Sequence, residues 1–259
     1  MARHNSITKL AITGETRLTL ESMKRILDLD NYEILYVFGL PEEDLRHKVN
    51  SASLTEFCEE WGITLDKTGD WNNCFQFCTT NNIDMIITLG DSRIVPKDVV
   101  RNFDVIGNHG AVLPDVQGGA SLVWGRILNS GEWGVSVMKI AERIDGGDIL
   151  KVKTFKYDES TTEEQFTDAA DALTVDALVE VLQGDYAVQE NKKWKVRVAK
   201  HTDSHKAVEL LRYCKENNLP VYMPPRTLED GYLDPSWPPQ FIKSFKIAND
   251  HPYPKWSEE

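Results

Sequence analysis

The residues best able to do chemistry are a histidine and an aspartate, each set among glycines. The window Gly107-Asn108-His109-Gly110-Ala111-Val112-Leu113-Pro114-Asp115-Val116-Gln117-Gly118-Gly119 follows an apolar run and puts His109 where a strand would end. Further along comes Ile144-Asp145-Gly146-Gly147-Asp148-Ile149-Leu150. A His at a strand terminus and an Asp on a glycine loop can meet over one cleft. Such a pair suits transfer of an acyl group to an amine. The amine must lose a proton as it attacks, and the carbonyl oxygen must be stabilised as it gains charge. Taken alone, each has a plainer reading: a His beside glycines is more often a capping residue, and Asp-Gly-Gly-Asp is more often a turn.

Other candidates carry less. Cys74 and Cys78 lie four apart, but with Cys58 and Cys214 they complete no zinc motif, so reduced thiols on a helix face are expected. His201 and His205 are also four apart, yet no carboxylate cluster joins them, and exposed first-turn residues are the better reading. No metal is expected. Gly14 could open a phosphate-binding turn after the first strand, on the support of a single glycine. Trp71, Trp124, Trp133 and Trp194 read as core or sheet-face residues. Trp237, Tyr253 and Trp256 sit in an irregular tail, where aromatics would also suit a binding or homodimer contact.

The elements that must position His109 and Asp145 alternate in type. Lys9 to Thr13, Ile34 to Phe38, Asp84 to Leu89 and Asp104 to Gly107 read as buried strands, and Leu20 to Leu27, Ser51 to Trp61 and Trp71 to Thr79 as helices between them. This rhythm predicts an α/β fold: a Rossmann-like, mostly parallel sheet with helices on both faces, whose ligands gather at the carboxyl ends of the strands. A helix over Ser121 to Leu128 follows, then strands over Trp133 to Ile140 and Ile149 to Tyr157. A long helix should start near Ser160 or Thr161 with a capping box, bury Phe166, Ala170, Leu173, Ala177 and Val181, and stop at Gly184. The main domain is expected to span 1–185. The remainder, 186–259, reads as a small C-terminal extension: strands at Tyr186 to Gln189 and Trp194 to Val198, a helix over Ser204 to Glu216, and a tail rich in Pro and aromatics.

With 259 residues the chain can bury a sizeable core. No apolar run reaches the roughly 20 residues of a membrane helix, and the first residues lack a signal-peptide core, so a cytoplasmic protein is expected, with no membrane partner. The formal net charge of −12 offers no bulk surplus of Lys and Arg for a phosphate backbone. A small metabolite fits that charge better than a nucleic acid.

The order of these motifs resembles the folate-dependent formyltransferase family, whose members act on glycinamide ribonucleotide, methionyl-tRNA or sugar amines. His109-Gly-Ala-Val-Leu-Pro114, Gly119, a helix, Gly134-Val135-Ser136 and Asp145-Gly-Gly147-Asp148-Ile149 follow the family pattern, and Leu89 to Pro96 is similar to the loop before its catalytic strand. This covers roughly residues 8 to 185. In the tail, Arg226-Thr227-Leu228-Glu229-Asp230-Gly231-Tyr-Leu-Asp234-Pro-Ser236 looks like a segment of the longer members. Ile242-Lys-Ser-Phe245 and His251-Pro-Tyr-Pro254 resemble the ending of nucleotide-sugar N-formyltransferases. The resemblance implies 10-formyltetrahydrofolate as formyl donor and a nucleotide-linked amino sugar, such as a dTDP-amino-dideoxyhexose, as acceptor. The alternatives it leaves are glycinamide ribonucleotide, methionyl-tRNA or an amino acid, or a non-catalytic folate- or nucleotide-binding relative. It also implies roles. His109 would stabilise the oxyanion, and Asp145 would take the amine proton. Ser92, Arg93, Ile94, Ile140 and Asp145 would hold the pterin. Gly119, Arg226 and Glu229 would line or brace the acceptor site.

One position departs from the pattern. Most members place an Asn two residues before the His, to donate to the formyl oxygen; here that residue is Gly107, and the Asn is its neighbour Asn108. Residues 107 and 109 share a strand face while 108 points away. Three outcomes follow: a bulge at Gly107 re-aims Asn108 as the catalytic amide, a water or backbone N–H replaces it, or the protein is slow.

Overall fold

The computed structural model describes residues 7–46, 50–192, 197–198 and 203–249. In β1 (Thr8–Thr13), Leu10 to Thr13 are all buried, the pattern of a strand covered on both faces. There follow α1 (Arg17–Leu27), β2 (Tyr32–Phe38), the single turn α2 (Glu42–Leu45), α3 (Thr55–Trp61), β3 (Thr64–Asp66) and α4 (Trp71–Thr80). Next come β4 (Met85–Thr88), α5 (Lys97–Asn102), β5 (Asp104–His109), β6 (Val116–Gly118), α6 (Ser121–Leu128), β7 (Glu132–Lys139), β8 (Ile149–Lys156) and α7 (Glu163–Leu182). The last described elements are β9 (Arg197–Val198), α8 (Ser204–Glu216), β10 (Val221–Met223) and α9 (Pro239–Ala248).

The main sheet has the order β3-β2-β1-β4-β5-β7-β8. Its first five strands are parallel, and β7 and β8 are antiparallel. The mostly parallel, Rossmann-like architecture read from the alternation is therefore the one that forms. One face packs Leu10, Ile12, Ile87 and Ile106 against Met23 and Ile26 of α1 and Ala177, Leu178 and Val181 of α7. The other packs Ala11, Phe38, Ile86 and Val105 against Cys74 and Cys78 of α4 and Val99 of α5. Both cysteines are free and buried there, as their spacing implied.

Several expectations need correction. The long helix is capped by Thr162, whose side chain and that of Gln165 close the box, because Ser160 and Thr161 instead bond to Asp158 in the preceding turn. Leu173 is half-buried, and Thr174 and Leu178 face the core beside Ala177. Helix α3 begins at Thr55 rather than Ser51, with Leu54 buried at its start. Tyr186 to Gln189 forms no strand: Tyr186 and Val188 are exposed, and Gln189 alone makes a bridge, to Ile149. Trp194 lies outside the described residues, as do His201, His251, Tyr253, Pro254 and Trp256.

Residues from both sides of position 185 share one hydrophobic cluster. Trp124 and Ile127 of α6, Trp133, Tyr157 and Phe166 meet Val208 and Leu211 of α8, Val221 and Met223 of β10, and Phe241 and Phe245 of α9. Parallel pairing of β10 with β6 ties the same two parts through the backbone. Arg226 caps this cluster. Its guanidinium lies 4.9 Å from the Trp124 ring and 5.5 Å from the Phe245 ring, and burial lowers its pKa to about 10.

At the first turn of α7, Glu163 is 1% exposed beside the fully buried Arg126. The Arg126 guanidinium donates to Thr161 O at 2.6 Å and to Asn129 Oδ1 at 3.2 Å. Desolvation pushes Glu163 up to about 9 against the pull of Arg126. Its folded-state pKa thus exceeds the unfolded one, so its contribution is complete below the ordinary carboxylate range and is lost as pH rises toward 9. Denaturant unfolding at pH 5, 7 and 9 should show wild-type stability falling across that window. Glu163→Gln should flatten the fall and be the more stable protein at pH 8 by about 1 kcal/mol or more.

Candidate active site

Alternation along β5 puts Val105, Gly107 and His109 on one face of the sheet and Ile106 and Asn108 on the other. The ring of His109 is 7% exposed at the carboxyl end of the parallel strands. Its Nε2 lies 2.9 Å from Val116 O. A carbonyl can only accept, so Nε2 carries a hydrogen and donates it to Val116, which leaves Nδ1 as the other ring nitrogen. That nitrogen faces Asp145, with Nδ1 to Oδ1 at 3.5 Å.

Asp145 lies on the loop between β7 and β8, with φ +48°. Its Oδ2 accepts from the Gly118 N–H at 2.7 Å. Its backbone carbonyl accepts from Asn191 Nδ2, also at 2.7 Å. Glu142 pins the loop to α5 through Lys97 at 3.4 Å and Arg101 at 2.8 Å. Gly147 must be glycine, since a Cβ there would sit 1.9 Å from Lys139 O. The two residues read first from the sequence therefore meet, 3.5 Å apart. The strand between them, β6, holds both: Val116 through its carbonyl, Gly118 through its amide.

The structure disposes of the other candidates differently. Asn108 is not brought to the face of His109. β5 pairs with β7 in unbroken register from Ile106 to His109, so no bulge forms at Gly107, and Asn108 Oδ1 accepts from Gly90 N–H at 3.2 Å. Arg93 turns inward, paired with Asp91 at 2.7 Å, donating to Phe38 O at 3.0 Å and lying 4.0 Å over the Phe38 ring. Ser92 and Ile94 are exposed on the same loop. Ile140 reaches toward Gly107, where its Cδ1 would be 2.8 Å from an added Cβ. Gly119 donates to Met223 O at 3.0 Å and packs on Pro225, and Arg226 bonds Asn249 Oδ1 at 2.9 Å. Both of these face the extension. The side chain of Glu229 lies outside the described residues.

The start of α1 is closed by its own side chains: Thr16 and Thr19 cap each other, and Thr19 Oγ1 donates to Leu89 O at 2.9 Å. Gly14 is needed there because a Cβ would lie 2.1 Å from Leu89 O, not to cradle a phosphate. Among the described residues no group of three or more His, Cys, Asp or Glu could hold a metal ion. His205 packs on Phe241, with ring centroids 4.7 Å apart. No described helix is long and apolar enough to cross a membrane.

Asn191 and β6 were not legible as site elements. A three-residue strand paired with another across some hundred residues leaves no local pattern to read. The same holds for a row across the sheet in which Phe38, Thr13, Thr88 and Gly107 stand side by side.

Comparison with known proteins points to one family. Residues 55–182 match the sequence model of a family described as formyl transferase. Methionyl-tRNA formyltransferase of Finegoldia magna is 25% identical over 183 residues, 69% of this chain and 59% of that protein. The chain thus spans about three-fifths of that relative's length. The structure of methionyl-tRNA formyltransferase from Clostridium thermocellum matches with a TM-score of 0.64 at 16% identity, covering 98% of this chain and 88% of that one. An N-formyltransferase from Helicobacter canadensis, in complex with folinic acid and dTDP-3-aminofucose, matches with a TM-score of 0.60 at 16% identity over 93% and 80% of the two chains. At these identities the structural likenesses establish the fold.

The hold of β6 on Asp145 can be tested by substitution. Gly118 has φ +99°, and a Cβ there would lie 1.9 Å from Met223 O, whereas Gly184, at φ +83°, has nothing within 4 Å of such an atom. Urea unfolding should show Gly118→Ala costing about 3 kcal/mol or more, and Gly184→Ala only the ~1 kcal/mol of its backbone conformation.

Proposed function

We propose, on the premise that this chain belongs to the formyl transferase family through residues 55–182, that it transfers a formyl group from 10-formyltetrahydrofolate to the primary amine of a nucleotide-linked amino sugar. The observation that carries the reaction type is the approach of His109 Nδ1 to Asp145 Oδ1 at 3.5 Å, at the carboxyl end of the sheet. An imidazole nitrogen and a carboxylate at that distance can hold one proton between them. The amine must release that proton when its nitrogen bonds to the formyl carbon, and N10 of the tetrahydrofolate must take one up as the carbon–N10 bond breaks. Asp145 is the acceptor nearest to hand, since a carboxylate bonded to Gly118 N–H keeps further lone pairs free. With its Nε2 hydrogen engaged by Val116, the His109 ring acts through Nδ1, as the partner that shares the proton.

The residues present fit a pterin. Along the Phe38, Thr13, Thr88 and Gly107 row, the hydroxyl of Thr13 is buried and finds no hydrogen-bond partner, and Arg93 Nη1 over Phe38 is likewise unpaired. A planar, hydrogen-bonding heterocycle is the kind of group that would satisfy them. When bound, formyltetrahydrofolate supplies the formyl group, and Arg93, Thr13 and the loop carrying Ile140 would hold it.

For the acceptor, the net charge of −12 and the solved neighbour with dTDP-3-aminofucose support a nucleotide sugar. The names of the sequence relatives favour a second reading, an aminoacylated tRNA. Mass spectrometry after incubation with 10-formyltetrahydrofolate and a panel of dTDP-amino sugars, methionyl-tRNA and glycinamide ribonucleotide separates them. A gain of one formyl group on the sugar is expected, with His109→Ala and Asp145→Asn each lowering kcat by about 10²–10⁴-fold. Formylation of tRNA alone would overturn the acceptor, and unimpaired variants would overturn the site.

A further inference from the structure

An attacked formyl group develops negative charge on its oxygen, and a donor aimed at that oxygen is usually the largest contribution a site of this kind makes. The Nε2 hydrogen of His109 is not free for that oxygen, because it goes to Val116 O. The neighbouring donors are engaged as well. Gly118 N–H serves Asp145, Gly119 N–H serves Met223, and Ser136 Oγ donates to Ala111 O at 2.8 Å. Asn108 is on the opposite face.

Thr88 stands apart from these. It closes β4 and lies opposite Gly107 in the parallel register with β5. A Cβ added to Gly107 would fall 2.2 Å from Thr88 Oγ1. The hydroxyl therefore stands where a side chain at position 107 would begin, on the face that Gly107 shares with His109. Its hydrogen bond to Ile106 O is 3.5 Å long, at the outer limit for an O–H donor. Next to it in register on β1 is Thr13, fully buried and with its hydroxyl unpartnered. A weakly engaged hydroxyl beside an unsatisfied one, both at the carboxyl ends of their strands, marks a place built to receive polar atoms that the chain itself does not provide.

We infer that Thr88 Oγ1, which with Ile140 Cδ1 takes the place a side chain at 107 would fill, donates to the oxygen of the formyl group; this rests on the formyl-transfer reading above. Gly107 and Thr88 are then one device, because any larger residue at 107 would collide with the hydroxyl. Removing such a donor costs on the order of 10²–10³ in kcat.

The test is steady-state kinetics on the full chain with 10-formyltetrahydrofolate and the acceptor found by the panel. Thr88→Val, which keeps the shape of the side chain, should lower kcat by about 10²-fold and leave KM for the folate within about twofold. Thr88→Ser should retain activity within about fivefold of wild type, a rescue that a purely packing role would not show. Gly107→Asn should be impaired by its collision with Thr88, whereas Thr88→Ala with Gly107→Asn should regain at least about tenfold over Thr88→Ala alone. Full kcat in Thr88→Val, or equal loss in Val and Ser, would overturn the assignment while leaving formyl transfer intact. A wild-type chain that moves no formyl group would defeat the parent reading, and this assignment with it.

Discussion

The short strand β6 makes the site. Val116 gives its carbonyl to one nitrogen of His109, and two residues on Gly118 gives its amide to the carboxylate of Asp145. These two bonds fix which ring nitrogen and which carboxylate oxygen face each other. An imidazole free to rotate, or a carboxylate free to swing into solvent, would not keep a 3.5 Å approach. Three residues cannot hold such a position alone, since so short a strand has too little backbone pairing. β6 is kept in place by β10, and β10 by the cluster of α6, α8 and α9 on which Arg226 sits.

The extension thus helps to hold His109 and Asp145 in place. Met223 carries the carbonyl against which Gly118 is fitted, and Asn191 holds the backbone of Asp145 in a left-handed turn that an aspartate adopts at some cost. The position of Arg226 is explained in the same way. Expected to line or brace an acceptor, it is engaged with Trp124, Phe245 and Asn249, where a cation over two rings welds the tail to the part that carries His109 and Asp145.

What the sequence disclosed followed from local patterning. Strands with continuous apolar runs, the helix over Ser121 to Leu128 and the stop at Gly184 have signals contained within a few residues, and these elements form where they were expected. His109 and Asp145 were legible because each sits in its own glycine-rich window. The pairing of β6 with β10, the reach of Asn191 to Asp145 and the burial of Glu163 depend on partners remote in the chain, and no periodicity reports them. Asn108 shows the other limit. Its identity suggested an amide donor, but the regular pleat of β5 turns it to Gly90, and the same pleat leaves the face of His109 to Gly107 and Thr88.

The central claim is that a reduced pterin brings its formyl group to the cleft between His109 and Asp145, above the Thr13, Thr88 and Gly107 row. A crystal structure with the unreactive isomer 5-formyltetrahydrofolate tests it most directly. The account predicts the pterin at the carboxyl ends of β1, β4 and β5, with the N10 side of the ligand within hydrogen-bond reach of the Asp145 carboxylate. A ligand bound elsewhere, with that cleft closed by side chains, would contradict it.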